Sequence, residues 1–175
     1  RKRTLFPYTT LFRSVAAAIL AYRDVVARFP TGAESLDAHL RIAGLQAERK
    51  EWRAADATLT AVLARTDLDN AARLEAQARR GYVLLEQGLA RDAEASLKAA
   101  VATWNRAIRI DDHYYIAMAH YYLGELQHRA FAAVTLRTPL EELKADLVKK
   151  EALAAAAYDQ WREALELQDP YWALA

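Results

Sequence analysis

The chain has 175 residues, 54% apolar and 27% charged, enough for one sizeable core and too apolar for a disordered chain. It contains no Cys, which excludes disulfides, thiolate metal sites and Cys nucleophiles. The formal charge of +1 includes Arg1, Lys2, Arg3 and Arg13; without these four, 20 basic residues stand interspersed among 23 acidic ones, which argues against a nucleic-acid surface.

The opening RKRTLFPYTTLFRS has neither the apolar core of a secretory signal nor helical periodicity. From Thr4 to Ser14 it resembles, codon for codon, the translation of a common sequencing-library adapter. Residues 1–14 are therefore expected to be non-native, with Leu5, Phe6, Leu11 and Phe12 resting on whatever apolar surface is at hand. Residues 15–175 are expected to form one helical repeat domain truncated at both ends, a further helix starting at Pro170. The natural N-terminus, and any signal it carried, would then be missing.

From Val15 onward apolar residues recur at helical spacing, and charges break every apolar run before the roughly 18 residues of a membrane span. The chain is thus expected not to span a membrane. Thr31-Gly-Ala-Glu34, after Pro30, reads as a capping box opening a helix, and Asp67, Asp69 and Asn70 mark a turn before the next. Asp111 and Asp112 sit where their charge favours the start of a helix running from Tyr114 to about Arg129. Thr138-Pro-Leu-Glu141 combines a capping box with Pro at the first helical position, so a helix is expected from Pro139 to about Leu167. Within it Asp146 and Lys150 read as an i, i+4 pair on a solvated face.

One unit recurs. An Ala is followed four residues later by a bulky side chain, then by apolar residues three and four further on: Ala18, Tyr22, Val25; Ala55, Leu59, Val62, Leu63; Ala93, Leu97, Ala100, Val101; Ala157, Trp161, Ala164, Leu165. The intervals from Ala18 to Ala55 and from Ala55 to Ala93 differ by a single position, and a preceding helix carries Ala43, Gly81 or Gly124 at the matching place. The pattern resembles the tetratricopeptide repeat, a unit of about 34 residues built as helix, turn and helix. Pro30 and Pro170 match that family's closing proline, whereas His39, Gln77 and His120 stand where it usually has Trp. The resemblance implies an all-α, tetratricopeptide-like α-solenoid of antiparallel helix pairs. It also implies a concave face lined by Leu40, Ala78, Tyr82, Met118, Tyr121, Glu125 and His128, which would bind a protein or peptide. Tyr22 to Gly32 loosely resembles repeats of bacterial cell-envelope assembly proteins, which favours a periplasmic or outer-membrane-associated setting over the cytoplasm.

His113, His120 and His128 do not read as a metal site: the last two are about 12 Å apart along a helix, and the i+4 position from His120 is Gly124. No phosphate loop, nucleophile elbow or apolar carboxylate pair appears, so neither a cofactor nor an enzyme is expected. The alternative is a docking module of a larger enzyme or regulator whose catalytic domain lies outside this chain. In the tyrosine-rich helix, Tyr114, Met118, Tyr121 and Glu125 share one face, and Tyr115, Tyr122 and Leu126 another.

The step from Ala43 to Ala55 equals that from Gly81 to Ala93, but the step from Gly124 to Ala157 is almost three times as long, so a segment is inserted there. The spacing predicts a long final helix whose stripe Leu140, Leu143 and Leu147 projects. The loop from Ala130 to Arg137, through Phe131, Val134 and Leu136, is expected to cover part of it. The rest would dock a partner or a second copy, as would the truncated ends.

Overall fold

The computed structural model describes residues 8–174, with side chains from Val15 onward. Leu5 and Phe6 therefore lie outside the described residues, and Leu11 and Phe12 outside the described side chains, so the contacts expected of these four fall outside what is described. Among those described, the chain is all helical, without a strand. The helices are α1 (Tyr8–Arg28), α2 (Ala33–Glu48), α3 (Trp52–Leu63), α4 (Asn70–Glu86), α5 (Ala90–Arg106), α6 (Tyr114–Ala133) and α7 (Leu140–Glu166). They fall into two compact units, Arg1–Asp67 with α1 to α3 and Leu68–Ala175 with α4 to α7. No described helix is long and apolar enough to cross a membrane. The first helix begins at Tyr8, ahead of the junction expected at Val15.

Helices α2 and α3 run antiparallel, as do α4 and α5. In the first pair, Thr58 Oγ1 donates to Gln46 Oε1 at 2.8 Å while Arg65 Nη2 reaches back to the Gly32 carbonyl at 3.0 Å. In the second, Ser96 Oγ donates to the Gln77 carbonyl and Thr103 Oγ1 to Gln77 Oε1, both at 2.8 Å, while Gly81 faces Leu97 and Ala93. The two hairpins share a short turn of one design. Lys50 and Gly88 are both left-handed, at φ 59 and φ 77. Their N–H groups donate to Ala47 and Leu85, and the next N–H groups, of Glu51 and Leu89, reach Gln46 and Leu84, a pairing that satisfies carbonyls at a helix end. Only Gly takes this conformation without a steric penalty, so Lys50 holds it under mild strain.

The recurring small residues lie where two helices come closest. Ala43, Ala55, Leu59 and Val62 are buried in the first unit, and Ala93, Leu97 and Ala100 in the second. A methyl group placed on Gly81 would overlap the Leu97 side chain, and one on Gly124 would overlap the Trp161 indole. Trp161 Nε1 also donates to the Tyr121 carbonyl at 3.2 Å. A polar residue three positions after the recurring Ala bonds across each pair: Thr58 to Gln46, Ser96 to Gln77, and Gln160 Oε1 with His120 Nδ1 at 3.0 Å.

The two capping boxes expected from sequence do not form. Gly32, at φ 98, precedes α2 with no side-chain cap, and Pro139 occupies the cap position of α7 with its carbonyl accepting from Leu143 N–H. Helix starts at Asp69 and Asp112 behave as charge and hydrogen bonding require: Asp69 Oδ1 accepts from Ala72 N–H at 2.7 Å and Asp112 Oδ1 from Tyr114 N–H at 2.9 Å.

The inserted segment lengthens the α6/α7 hairpin at its open end. Compared with α4/α5, most of it extends α7 before Ala157, and the remainder is shared between the end of α6 after Gly124 and the loop. With 27 residues α7 spans about 40 Å. An extended chain advances more than twice as far per residue as a helix, so the short connection 134–139 can run back along the first turns of α7. Polar contacts hold it there. Arg137 donates to Asp146 through Nε at 2.9 Å, Nη2 at 2.7 Å and its own backbone N–H at 3.0 Å, and Lys150 Nζ caps the Phe131 carbonyl at 2.9 Å and lies 3.9 Å from the Phe131 ring centroid. Asp146 and Lys150 therefore do not pair with one another on a solvated face. Asp146 is buried and belongs to Arg137.

Replacing Gly124 with Ala improves helix propensity but inserts a methyl against Trp161, so thermal denaturation should show a loss of about 1–3 kcal/mol, the usual range for overpacking. A gain in stability would mean that the helices are free to separate there. The hydrogen bonds from Arg137 hold the Asp146 carboxyl below its usual value of about 3.9. A depressed carboxylate pKa contributes stability above the ordinary value, and that contribution disappears as pH falls through the lowered one. The melting temperature of Asp146→Asn should therefore lie below that of the wild type at pH 7 and converge with it in acid, below about pH 4.

Candidate functional site

Of the residues expected on a concave face, Leu40 lies on α2 of the first unit and is buried. Ala78 and Met118 are also buried, in the core between α4, α5 and α6. These three side chains are packing residues and present no binding surface, because the face that carries them is closed by neighbouring helices within their own units. His128 turns away from α4: its ring lies 5.7 Å from that of Trp161 and 6.4 Å from that of Phe131. The positions expected from the second unit therefore do not line one continuous groove. What remains accessible is the half-buried pair Tyr82 and Tyr121, with Glu125 at the rim, while His128 is exposed on the side towards α7.

Those two tyrosines are linked through Tyr122, which helical spacing puts on another face of α6. The rings of Tyr82 and Tyr122 lie 4.8 Å apart between centroids and those of Tyr121 and Tyr122 lie 5.2 Å apart, so α4 and α6 are joined by an aromatic ladder. The rim is charged. Arg129 pairs with Glu125 on its own helix at 3.3 Å and with Glu86 at the end of α4 at 2.7 Å, and its Nη1 approaches the Leu85 carbonyl at 3.5 Å. A cation suits that position, since the last carbonyls of a helix carry partial negative charge. At the other end, Tyr115 accepts from Arg79 Nη2 at 2.7 Å and donates to Glu75 Oε1 at 2.8 Å.

The chain's own C-terminal segment packs over this aromatic surface between these ends. After α7, Gln168 is left-handed at φ 55 and turns the chain back. Asp169 Oδ1 then accepts from the N–H groups of Tyr171 at 3.0 Å and Trp172 at 3.1 Å, with Pro170 between. An acid at the cap followed by Pro is the usual start of a helix, and here it builds a single turn in which Ala173 N–H bonds the Asp169 carbonyl. Trp172 is only 7% exposed. Its ring centroid lies 5.1 Å from Tyr121, 5.5 Å from Tyr114 and 5.6 Å from Tyr122. Tyr171, mostly exposed, adds contacts of 5.7 Å to Tyr114 and 4.9 Å to Trp172. The Trp172 Nε1–H is buried and meets no acceptor among the described residues. An orphaned donor of this kind costs about 1–3 kcal/mol.

Burial raises the phenols of Tyr82, Tyr114 and Tyr122 and pushes Tyr115 up to about 12. All four are neutral near pH 7 and serve as hydrogen-bonding, quadrupolar surfaces. The histidines considered for a metal go separate ways: His113 Nδ1 donates to the Leu167 carbonyl at 3.0 Å, His120 meets Gln160, and His128 faces Trp161. No group of three metal-ligating side chains converges among the described residues.

The stripe on α7 is partly covered. Leu143 is half-buried, while Leu140 and Leu147 remain 61% and 49% exposed. The connection lies beside the helix as a single extended segment held by its polar groups, with Leu136 itself exposed, and so shields one edge of the stripe.

No family model, no curated protein and no solved structure matches the chain.

A phenol whose folded pKa is raised favours the folded state below its ordinary value of about 10 and withdraws that support as pH climbs through the raised value. Absorbance titration should show Tyr115 and Tyr122 ionising above the ordinary phenol value of about 10, and the melting temperature should fall as pH rises from about 10 to about 12. Uniform ionisation near pH 10 in the folded chain would contradict the burial described for them.

Proposed function

We propose that the chain is a protein-binding scaffold of the tetratricopeptide-like kind, whose second unit captures a peptide in the groove between α4 and α6. The observation that carries this reading is the aromatic ladder Tyr82, Tyr122 and Tyr121. It offers broad, low-entropy contact area beside a charged rim, the composition favoured at binding surfaces. The recurrence of one helix, turn and helix unit supports it further. The left-handed turn recurs from Lys50 to Gly88 and the polar cross-bond from Thr58 to Ser96, both at the interval that separates Ala55 from Ala93. The expected partner is a short peptide or an exposed protein segment with apolar and aromatic side chains.

A random peptide library panned against the chain supplies ligands for the test. Tyr82→Ala and Tyr121→Ala should each weaken a selected peptide by about tenfold or more, as central aromatic residues commonly do. Tyr158→Ala, 66% exposed on α7, should leave affinity unchanged. Equal losses at all three positions, measured by titration, would remove the groove from consideration.

A further inference from the structure

The segment that occupies the groove is held there by its rings. The N–H groups of Tyr171 and Trp172 are satisfied by Asp169 Oδ1, and those of Ala173 and Leu174 by the Asp169 and Tyr171 carbonyls, so the turn carries its own backbone hydrogen bonds. It can form beside the groove or away from it. What the groove supplies is Tyr114, Tyr121 and Tyr122 around the Trp172 indole, with Tyr171 lying over Tyr114. The indole N–H is left unpaired in this arrangement and would regain water on release. Leu174 is almost fully exposed and Pro170 lies outside, so Trp172 is the one buried side chain of the segment, with the mostly exposed Tyr171 beside it.

We infer that residues 169–174 are an intramolecular ligand that closes the α4/α6 groove, and that the groove's partner is a peptide presenting a tryptophan on a helical turn, which competes with Trp172. This rests on the reading of the groove as a peptide site. The chemistry of the occupant defines that of the competitor: an indole to fill the space among three phenols, preceded by a capped turn that brings its own backbone hydrogen bonds. A closed fraction of the groove lowers apparent affinity in proportion, so a groove open in about one molecule in ten binds about tenfold more weakly than an open one.

The probe is a fluorescein-labelled peptide, Gln-Asp-Pro-Tyr-Trp-Ala-Leu, titrated by anisotropy against the full chain. Trp172→Ala should bind it about tenfold more tightly than the wild type, and Asp169→Ala, which unravels the turn but removes no aromatic side chain, by an intermediate factor. Adding Tyr122→Ala to either variant should abolish the gain. Independently of any variant, unlabelled peptide added to the ¹⁵N-labelled wild-type chain should move the Trp172 indole N–H signal, one of four, to the position of a solvated indole. Equal affinity in the wild type and both variants, with the Trp172 signal unmoved, overturns the closure while leaving a peptide site in place. No binding to any of the three, with helix content retained by circular dichroism, overturns the peptide site and the closure together.

Discussion

The second unit depends on the absence of a side chain at Gly124. Because nothing projects there, the Trp161 indole packs directly against Gly124 of α6 and its Nε1–H reaches the Tyr121 carbonyl at 3.2 Å. That contact sets both the spacing of α6 and α7 and the rotation of α6 about its axis. With Gly124 turned towards α7, Tyr121 and Tyr122 meet Trp172, and Tyr122 also meets Tyr82 of α4. Gly81 does the same for α4 and α5, where Leu97 takes the place of the indole. Two glycines thus decide where the aromatic groove opens, although neither belongs to it.

Much of this was legible in the sequence. Helical period, turn residues and the recurring Ala and Gly positions locate the helices and put Ala43, Gly81 and Gly124 at helix contacts, because close packing demands small residues at fixed spacing. The site was less legible, for a physical reason. Helix α6 packs against α4, α5 and α7, and a helix enclosed on several sides has no single polar face to mark what is outermost. Assigning Tyr121 and Met118 to one surface and Tyr122 to another follows from the helical wheel, but burial separates Tyr121 from Met118 while contact reunites it with Tyr122. The polar position three residues after each recurring Ala carries a signal too, although Thr58, Ser96 and Gln160 share only a capacity for hydrogen bonds.

The C-terminal turn shows a different limit of pattern reading. Asp169-Pro170-Tyr171-Trp172 has every local mark of a helix beginning, and the chain does form the first turn there. Periodicity says nothing about where so short an element will rest. Its position is decided by one large side chain and by the aromatic surface within reach of a chain reversed at Gln168.

The α6/α7 hairpin is closed at one end by Gly124, Trp161 and the His120–Gln160 bond, and open at the other, where the 134–139 connection runs back along α7. All of its additional length lies beyond the closed end. Register and reach are therefore separate properties of this element, like the pivot and the arm of a lever. Residues gained or lost at the tip alter how far the arm extends, and the groove on the pivot side keeps its geometry.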